Sequence, residues 1–260
     1  ALSVVSNNIA NVNTEGYSKQ TVELASSSIN TDTSNLYAQA ASGLGAVIES
    51  ISRSKSSYLD SYYRTENSTY SYYDELSTNA NLIDTITDQL SGTGLTTALS
   101  NFYAAASDLS NEPTDISIRT SFLSAAKTVC DSFNSTASSL TELRTTLVGD
   151  GTSEGLKSST INSYVDIVNG YLDQIANLNQ NIAKSGTSGS DVNSLLDERD
   201  QLLDKLSDYV PVTTTSSSNN VVTVSIGGTE VVSGSEVLGK LDVSVGTSDT
   251  PAIVSIIDSG

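Results

Sequence analysis

Between about residues 53 and 208, apolar side chains recur every three or four positions, and no other feature constrains the fold of this chain as tightly. Ile161, Tyr164, Val168, Tyr171, Ile175, Leu178 and Ile182 step by 3, 4, 3, 4, 3 and 4. Ile118, Phe122, Ala125, Val129, Phe133, Thr136, Leu140, Leu143 and Leu147 keep nearly the same rhythm. Tyr58, Tyr62, Thr65, Thr69, Tyr73, Leu76, Ala80, Ile83 and Leu90 follow it with a weaker middle. On a helix this spacing gathers the apolar residues into one stripe, whereas on a strand it would scatter them over both faces. The pattern therefore predicts long helices packed side by side at shallow angles. Start and stop signals agree: Pro113, Thr114 and Asp115 open one helix, and the glycines of 149–151 close it. Residues 186–191 separate the third helix from a last one over 192–207.

After Pro211 the period becomes two, in a run rich in Val, Thr and Ser. Strands are expected over 210–215, 221–226, 230–232, 238–245 and 252–257. Gly227-Gly228 forms a two-residue hairpin turn, and the tract at Ser216, Ser217 and Ser218 forms a loop. The expected fold class is α+β, mainly α: an elongated long-helix bundle followed by an antiparallel β domain. Composition divides the chain into 1–52 (a helical stub, an Asn-rich bend and short extended segments), 53–208 (the bundle) and 209–260 (the start of the β domain). The opening in mid-helix and the unfinished sheet lead us to expect a piece of a longer protein.

The side-chain inventory narrows the chemistry. The 260 residues carry 12 basic and 30 acidic groups, a formal net charge of -18, with no His and a single Cys. Such a surface repels phosphate, which argues against nucleic-acid and anionic-membrane partners. Lack of His removes the commonest general base and metal ligand. One Cys makes no internal disulfide or thiolate cluster. Cys130, with no His to activate it, reads as a spectator thiol. The loops at 149–152 and 186–191 lack the Walker lysine and the alternating oxygen ligands of an EF-hand, and read as connectors. The triplets beginning at Asn67 and Asn134 match the glycosylation sequon but fall in mid-helix. Asp197, Glu198, Asp200 and Asp204 with Arg199 make an acidic run, expected as a solvated helix face above Leu195, Leu196, Leu202, Leu203 and Leu206. No catalytic constellation, cofactor site or metal site emerges, and the expectation is a protein that is not an enzyme.

The N-terminal segment differs from everything else. Asn7, Asn8, Asn11 and Asn13 fall within seven residues and are followed by Thr14, Gly16 and Tyr17. Asn side chains compete for backbone hydrogen bonds and tolerate the left-handed region, so this density ends a helix and builds a fixed bend. Gly16 can supply a positive φ, and Tyr17 offers an amphipathic anchor. These seven residues form the candidate interaction motif; a plain helix stop and loop is the competing account.

The run Ser6-Asn7-Asn8-Ile9-Ala10-Asn11-Val12-Asn13-Thr14-Glu15-Gly16-Tyr17 resembles the N-terminal signature of bacterial flagellar axial proteins. Ser18-Lys19-Gln20 after it, Asn193-Ser194-Leu195-Leu196-Asp197-Glu198-Arg199-Asp200-Gln201-Leu202-Leu203, and more loosely Asn111-Glu112-Pro113 with Arg119 are similar to the FlgK family of hook-associated proteins. The resemblance implies a structural, extracellular role at the junction of hook and filament, after export through the flagellar type III channel. Its implied partners are hook protein, the next hook-associated protein, copies of itself in a ring, and an export chaperone at a C-terminal region that this chain is expected to lack. An acidic surface adhesin or coiled-coil stalk is the alternative; a muralytic enzyme would need a positioned acid pair that the sequence does not display.

Overall fold

The computed structural model describes residues 1–26, 46–88, 94–185, 190–217, 219–247 and 252–259. In chain order the elements are α1 (Leu2–Ala10), β1 (Gln20–Ser26), β2 (Ala46–Arg53), α2 (Ser57–Asp88), α3 (Leu95–Asn111), α4 (Ile116–Val148), α5 (Ser153–Lys157), α6 (Thr160–Ser185) and α7 (Ser190–Leu206). Strands β3 (Val212–Ser216), β4 (Val222–Ile226), β5 (Thr229–Ser233), β6 (Glu236–Val237), β7 (Gly239–Val245) and β8 (Ala252–Asp258) follow. The fold is mainly α with small antiparallel sheets. Among the described residues no helix is long and apolar enough to cross a membrane. Leu90, Ser218 and positions 186–189 of the expected connector lie outside the described residues.

The chain packs as two units assembled from non-contiguous stretches. One comprises Ala1–Thr69, Val168–Lys240 and Ile257–Gly260; the other comprises Tyr70–Ile167 and Leu241–Ile256. The composition changes near residues 52 and 208 therefore mark changes of secondary structure, while packing joins segments far apart in the chain.

In the first unit, β1 and β2 form an antiparallel ribbon with Gln20 opposite Arg53 and a register shift at Glu23/Leu24. Strands β3 to β6 form an antiparallel sheet in sequential order, its β4–β5 turn made by Gly227 and Gly228, with φ of 58° and 84°. Only residues free to adopt positive φ at both positions make this tight hairpin with the strand twist preserved. The core lies between α6, α7 and the sheet: Leu172, Ile175, Ile182, Leu203, Leu206, Val224, Val231 and Val232 are all buried. Burying each such side chain contributes about 1.5–3 kcal/mol.

In the second unit α3 and α4 pack together, with the rings of Phe102 and Phe122 at 5.1 Å. Asp115 caps α4 by accepting from the Ser117 N–H at 2.7 Å, and Arg119 donates from Nε to the Pro113 carbonyl at 2.7 Å. The Pro113-to-Arg119 spacing noted in the sequence thus ties the turn before α4 to its first turn.

The expected apolar stripes coincide with the inward faces of some helices and are displaced on others. On α4 the half-buried positions follow the expected rhythm, but Phe133 is exposed and Ser132 takes the inward place. On α6 Val165 and Leu172 are buried, whereas Tyr164 and Tyr171 flank them, Tyr171 against Tyr209. The largest departure is α2. Tyr58, Tyr62 and Tyr73 are 75%, 57% and 62% exposed, while Arg64 is 4% exposed and Asn67 half-buried. The first half of α2 turns its polar side inward because its partners on α7 are charged.

Candidate functional site

The N-terminal bend is built by its own amides. The Asn8 side chain donates from Nδ2 to the Gln20 carbonyl at 2.9 Å, and its Oδ1 accepts from the Gln20 N–H at 2.9 Å and the Tyr17 hydroxyl at 2.8 Å. Asn11 donates to the Asn7 carbonyl and to Asn7 Oδ1, at 3.0 and 2.9 Å. The Thr14 hydroxyl donates to Asn11 Oδ1 at 3.3 Å, and the Tyr17 N–H to the Thr14 carbonyl at 3.2 Å. Asn13 is exposed, and no hydrogen bond from it is found among the described residues. Gly16 has φ +74°, and a Cβ there would fall 2.0 Å from Gln201 Nε2. The positive φ favours glycine, and a Cβ would in addition displace the Gln201 side chain. Partial burial, reinforced by the charge of Asp197, raises the pKa of Tyr17.

The bend does not stand alone. Helix α7 docks against it: the Ser18 N–H donates to Asp197 Oδ2 at 3.2 Å, and Gln201 Nε2 donates to the Glu15 carbonyl at 2.5 Å. Asn193 Nδ2 donates to the Ile51 carbonyl of β2 at 3.1 Å. Arg53, at the end of β2, reaches both Asp197 and Asp200 from one nitrogen, at 2.7 and 2.8 Å. Lys55 reaches Asp200 at 3.0 Å and Asp60 at 3.5 Å. Arg64 of α2 donates from Nε to Asp204 at 2.7 Å. Asn67 extends the α2–α7 contact to Ser207 and Asp208, at 2.9 and 2.6 Å.

The acidic run on α7 is thus no solvated face. Asp197, Arg199 and Asp200 are 7%, 4% and 8% exposed, and of the run Glu198 points to solvent. Sequence proximity alone could not show this, because the compensating bases lie some 140 residues earlier. A signal was present nonetheless: a chain with only 12 basic residues places Arg53, Lys55 and Arg64 within one short stretch.

Electrostatics differ across the joint. Burial pushes Asp200 upward, but Lys55 and Arg53 together outweigh it and hold the carboxyl below its usual range. At Asp204 burial dominates, and Arg64 offsets it only in part, so that carboxyl is raised. Arg199 is lowered to about 10, chiefly by burial, with Arg53 and Arg64 adding to the effect against the favourable charge of Asp200. Its Nη1 donates to Asn179 Oδ1 at 3.1 Å and to the Asn220 carbonyl. Asn179, fully buried, in turn donates to the carbonyls of Val222 and Gly234 at 2.8 and 2.7 Å. One side of α7 therefore holds the bend, ribbon and α2, and Arg199 ties it to the sheet.

Gln20 is 2% exposed, and both its side-chain amide atoms lack partners among the described residues. Among the described residues no group of three or more His, Cys, Asp or Glu is placed to hold a metal ion. Cys130 is exposed. What the arrangement does chemically is couple distant segments through charge and amide pairs.

The segment has counterparts in sequence among flagellar proteins: residues 1–17 match the model of the flagella basal body rod protein. Residues 80–258 match the flagellar hook-associated protein FlgK helical domain, and the chain belongs to the FlgK family. It is 30% identical over 250 residues to flagellar hook-associated protein 1 of Bacillus subtilis, covering 95% of this chain and 47% of that protein. The protein of that name from Salmonella typhimurium is 29% identical over 218 residues, covering 82% of this chain and 36% of its own length. The chain thus spans less than half the length of these relatives. In fold it is similar to the flagellar hook junction protein FlgK from Burkholderia pseudomallei, with a TM-score of 0.58 and 24% identity over 78% of this chain and 34% of that one.

Proposed function

We infer that this chain is part of a structural component of the bacterial flagellum that joins hook to filament. The observation that carries the reading is the family match over residues 80–258. The joint supports it: the rod-protein-like segment at 1–17 and the run 193–203 are locked to each other by Ser18, Glu15, Asp197 and Gln201. In this reading the bend of Asn7, Asn8, Asn11, Asn13, Thr14, Gly16 and Tyr17 sets the direction in which the N-terminal helix leaves the body. Assembly partners are hook protein on one side, the next hook-associated protein on the other, and copies of the same chain around a ring. The parent protein reaches this place by export from the cytoplasm, with an export chaperone engaging a C-terminal region outside residues 1–260. The composition suits a passive, exported part: no His, and one Cys that forms no intrachain disulfide.

Immunogold electron microscopy on isolated flagella, with antibody raised against this chain, tests the reading. Label confined to a collar between hook and filament is the expected result. Label along the filament would make the protein a filament subunit, and label elsewhere on the cell surface would favour the adhesin or stalk; either would overturn the junction role.

A further inference from the structure

The first half of α2 meets α7 through polar side chains. Tyr58, Leu59, Tyr62 and Tyr63 are exposed, so its large apolar groups do little to fix how the helix sits on α7. That task falls to Arg64, with Asn67 holding Ser207 and Asp208 just past the end of α7.

Arg64 stands between two carboxylates one turn apart on α7. Its Nε donates to Asp204 Oδ1 at 2.7 Å, while its Nη2 lies 3.9 Å from Asp200 Oδ1, too far for a hydrogen bond. That nitrogen is buried and finds no hydrogen-bond partner among the described residues. Asp200 is turned so that Oδ2 takes Arg53 and Lys55, at 2.8 and 3.0 Å, and Oδ1 faces Arg64. A charged N–H···O bond spans about 2.7–2.9 Å, so closing the gap takes about 1 Å, within the reach of side-chain torsions.

The two carboxylates differ in access and in compensation. The Asp204 side chain is 35% exposed against 11% for Asp200, and its bonded base is Arg64, whereas Asp200 already holds Arg53 and Lys55. Acidification therefore reaches Asp204 first. The pKa directions agree: burial raises Asp204 with only partial relief from Arg64, while at Asp200 burial is outweighed by Lys55 and Arg53. Once Asp204 is neutral, the buried Arg64 guanidinium needs an anion, and the carboxylate within reach is Asp200. The other charged groups around the pair are Asp60 of α2, beside Lys55, and Arg199 and Asp208 on the α7 side.

We propose that Arg64 is a two-position clamp: it holds α2 to Asp204 while that carboxyl is charged and passes to Asp200 when it is protonated, so that the seating of α2 on α7 follows the charge of one side chain. The apolar core takes no part in the exchange, since Leu172, Ile175, Leu203, Leu206 and Val224 stay buried among α6, α7 and the sheet. The inference stands on the geometry around Arg64 and does not depend on the junction role.

Side-chain NMR of the whole, isotope-labelled chain tests the clamp. As pH falls from 7 through the titration of the Asp204 carboxyl, the Arg64 Nε–H signal should shift with the same midpoint. Corrected for the pH dependence of a free guanidinium, the Arg64 Nη protons should then exchange with water at least about tenfold more slowly, as one new charged hydrogen bond dictates. In Asp204→Asn the slow Nη exchange is expected already at pH 7. An Arg64 signal that ignores the Asp204 titration, or Nη exchange as fast in Asp204→Asn as in the unsubstituted chain, would overturn the clamp. Should Asp204→Asn fail to fold, the unsubstituted chain decides alone: Nη exchange that slows across the Asp204 midpoint supports the clamp, and exchange that stays constant or quickens refutes it.

Discussion

Replacing Arg53 with Ala distinguishes a buried network from a solvated acidic face. Arg53 Nη1 lies 2.7 Å from Asp197 and 2.8 Å from Asp200, and the three side chains are 13%, 9% and 11% exposed. Without the guanidinium, Asp197 keeps the Ser18 N–H, and Asp200 keeps Lys55 at 3.0 Å. Removing one partner of a buried pair costs about 3–5 kcal/mol, because the charge left behind has lost both water and its counter-ion. Lys55 still compensates Asp200, which puts the expected loss near the lower end, about 3 kcal/mol. With a urea slope of about 1–3 kcal/mol per molar, the midpoint falls by about 1–3 M. Urea unfolding at pH 7, followed by far-UV circular dichroism, reads this directly. Lys127→Ala is the control: it breaks a pair whose side chains are 76% and 61% exposed, and the midpoint should not move. An Arg53→Ala midpoint as close to the parent's as the control's would refute the reasoning and restore the solvated face.

Four further outcomes follow from the same geometry. Gly16→Ala forces a Cβ into the left-handed region and against Gln201, with an expected loss of about 1–2 kcal/mol in the same urea assay, part of it recovered by adding Gln201→Ala. Carboxyl carbon NMR titration should show Asp200 below and Asp204 above the usual range. Asp200 then contributes stability that is in place above the unfolded value of about 3.9 and is lost as pH falls through its lower folded value, whereas the fold gains stability as pH falls through the raised Asp204 value; the reverse order of titration would contradict this. Asn179→Ala strands the Val222 and Gly234 carbonyls and leaves Arg199 Nη1 only the Asn220 carbonyl, and should cost about 2 kcal/mol or more by urea unfolding, from about 1–3 kcal/mol per stranded group. Gln20→Met replaces two buried atoms that lack partners among the described residues by apolar ones and should leave the melting temperature unchanged or raised, since the amide gains nothing from burial.

Much of this architecture is legible in the sequence because it depends on local periodicity. Helices α4, α6 and α7, the Gly227-Gly228 hairpin and the Asp115 cap follow from spacing and from residues whose backbone preferences act within a few positions. So does the bend: Asn8, Asn11, Thr14 and Tyr17 make bonds within twelve residues of themselves. The motif runs also sufficed to place the chain in its family.

The tertiary structure decided which side of each helix faces inward. On α2 the tyrosine stripe has the right spacing for burial, yet Arg64 and Asn67 occupy the inward side because Asp204, Ser207 and Asp208 wait there. On α7 an acidic run that looks solvated in one dimension is buried in three, its charge balanced by Arg53, Lys55 and Arg64. Gly16 shows both levels at once, since its positive φ is readable from the bend, while its second constraint, contact with Gln201, comes from a helix 185 positions further on. Local propensity acts over a turn or two of chain, but compensation of a buried charge depends only on distance in space, and that distance exists only once the chain has folded.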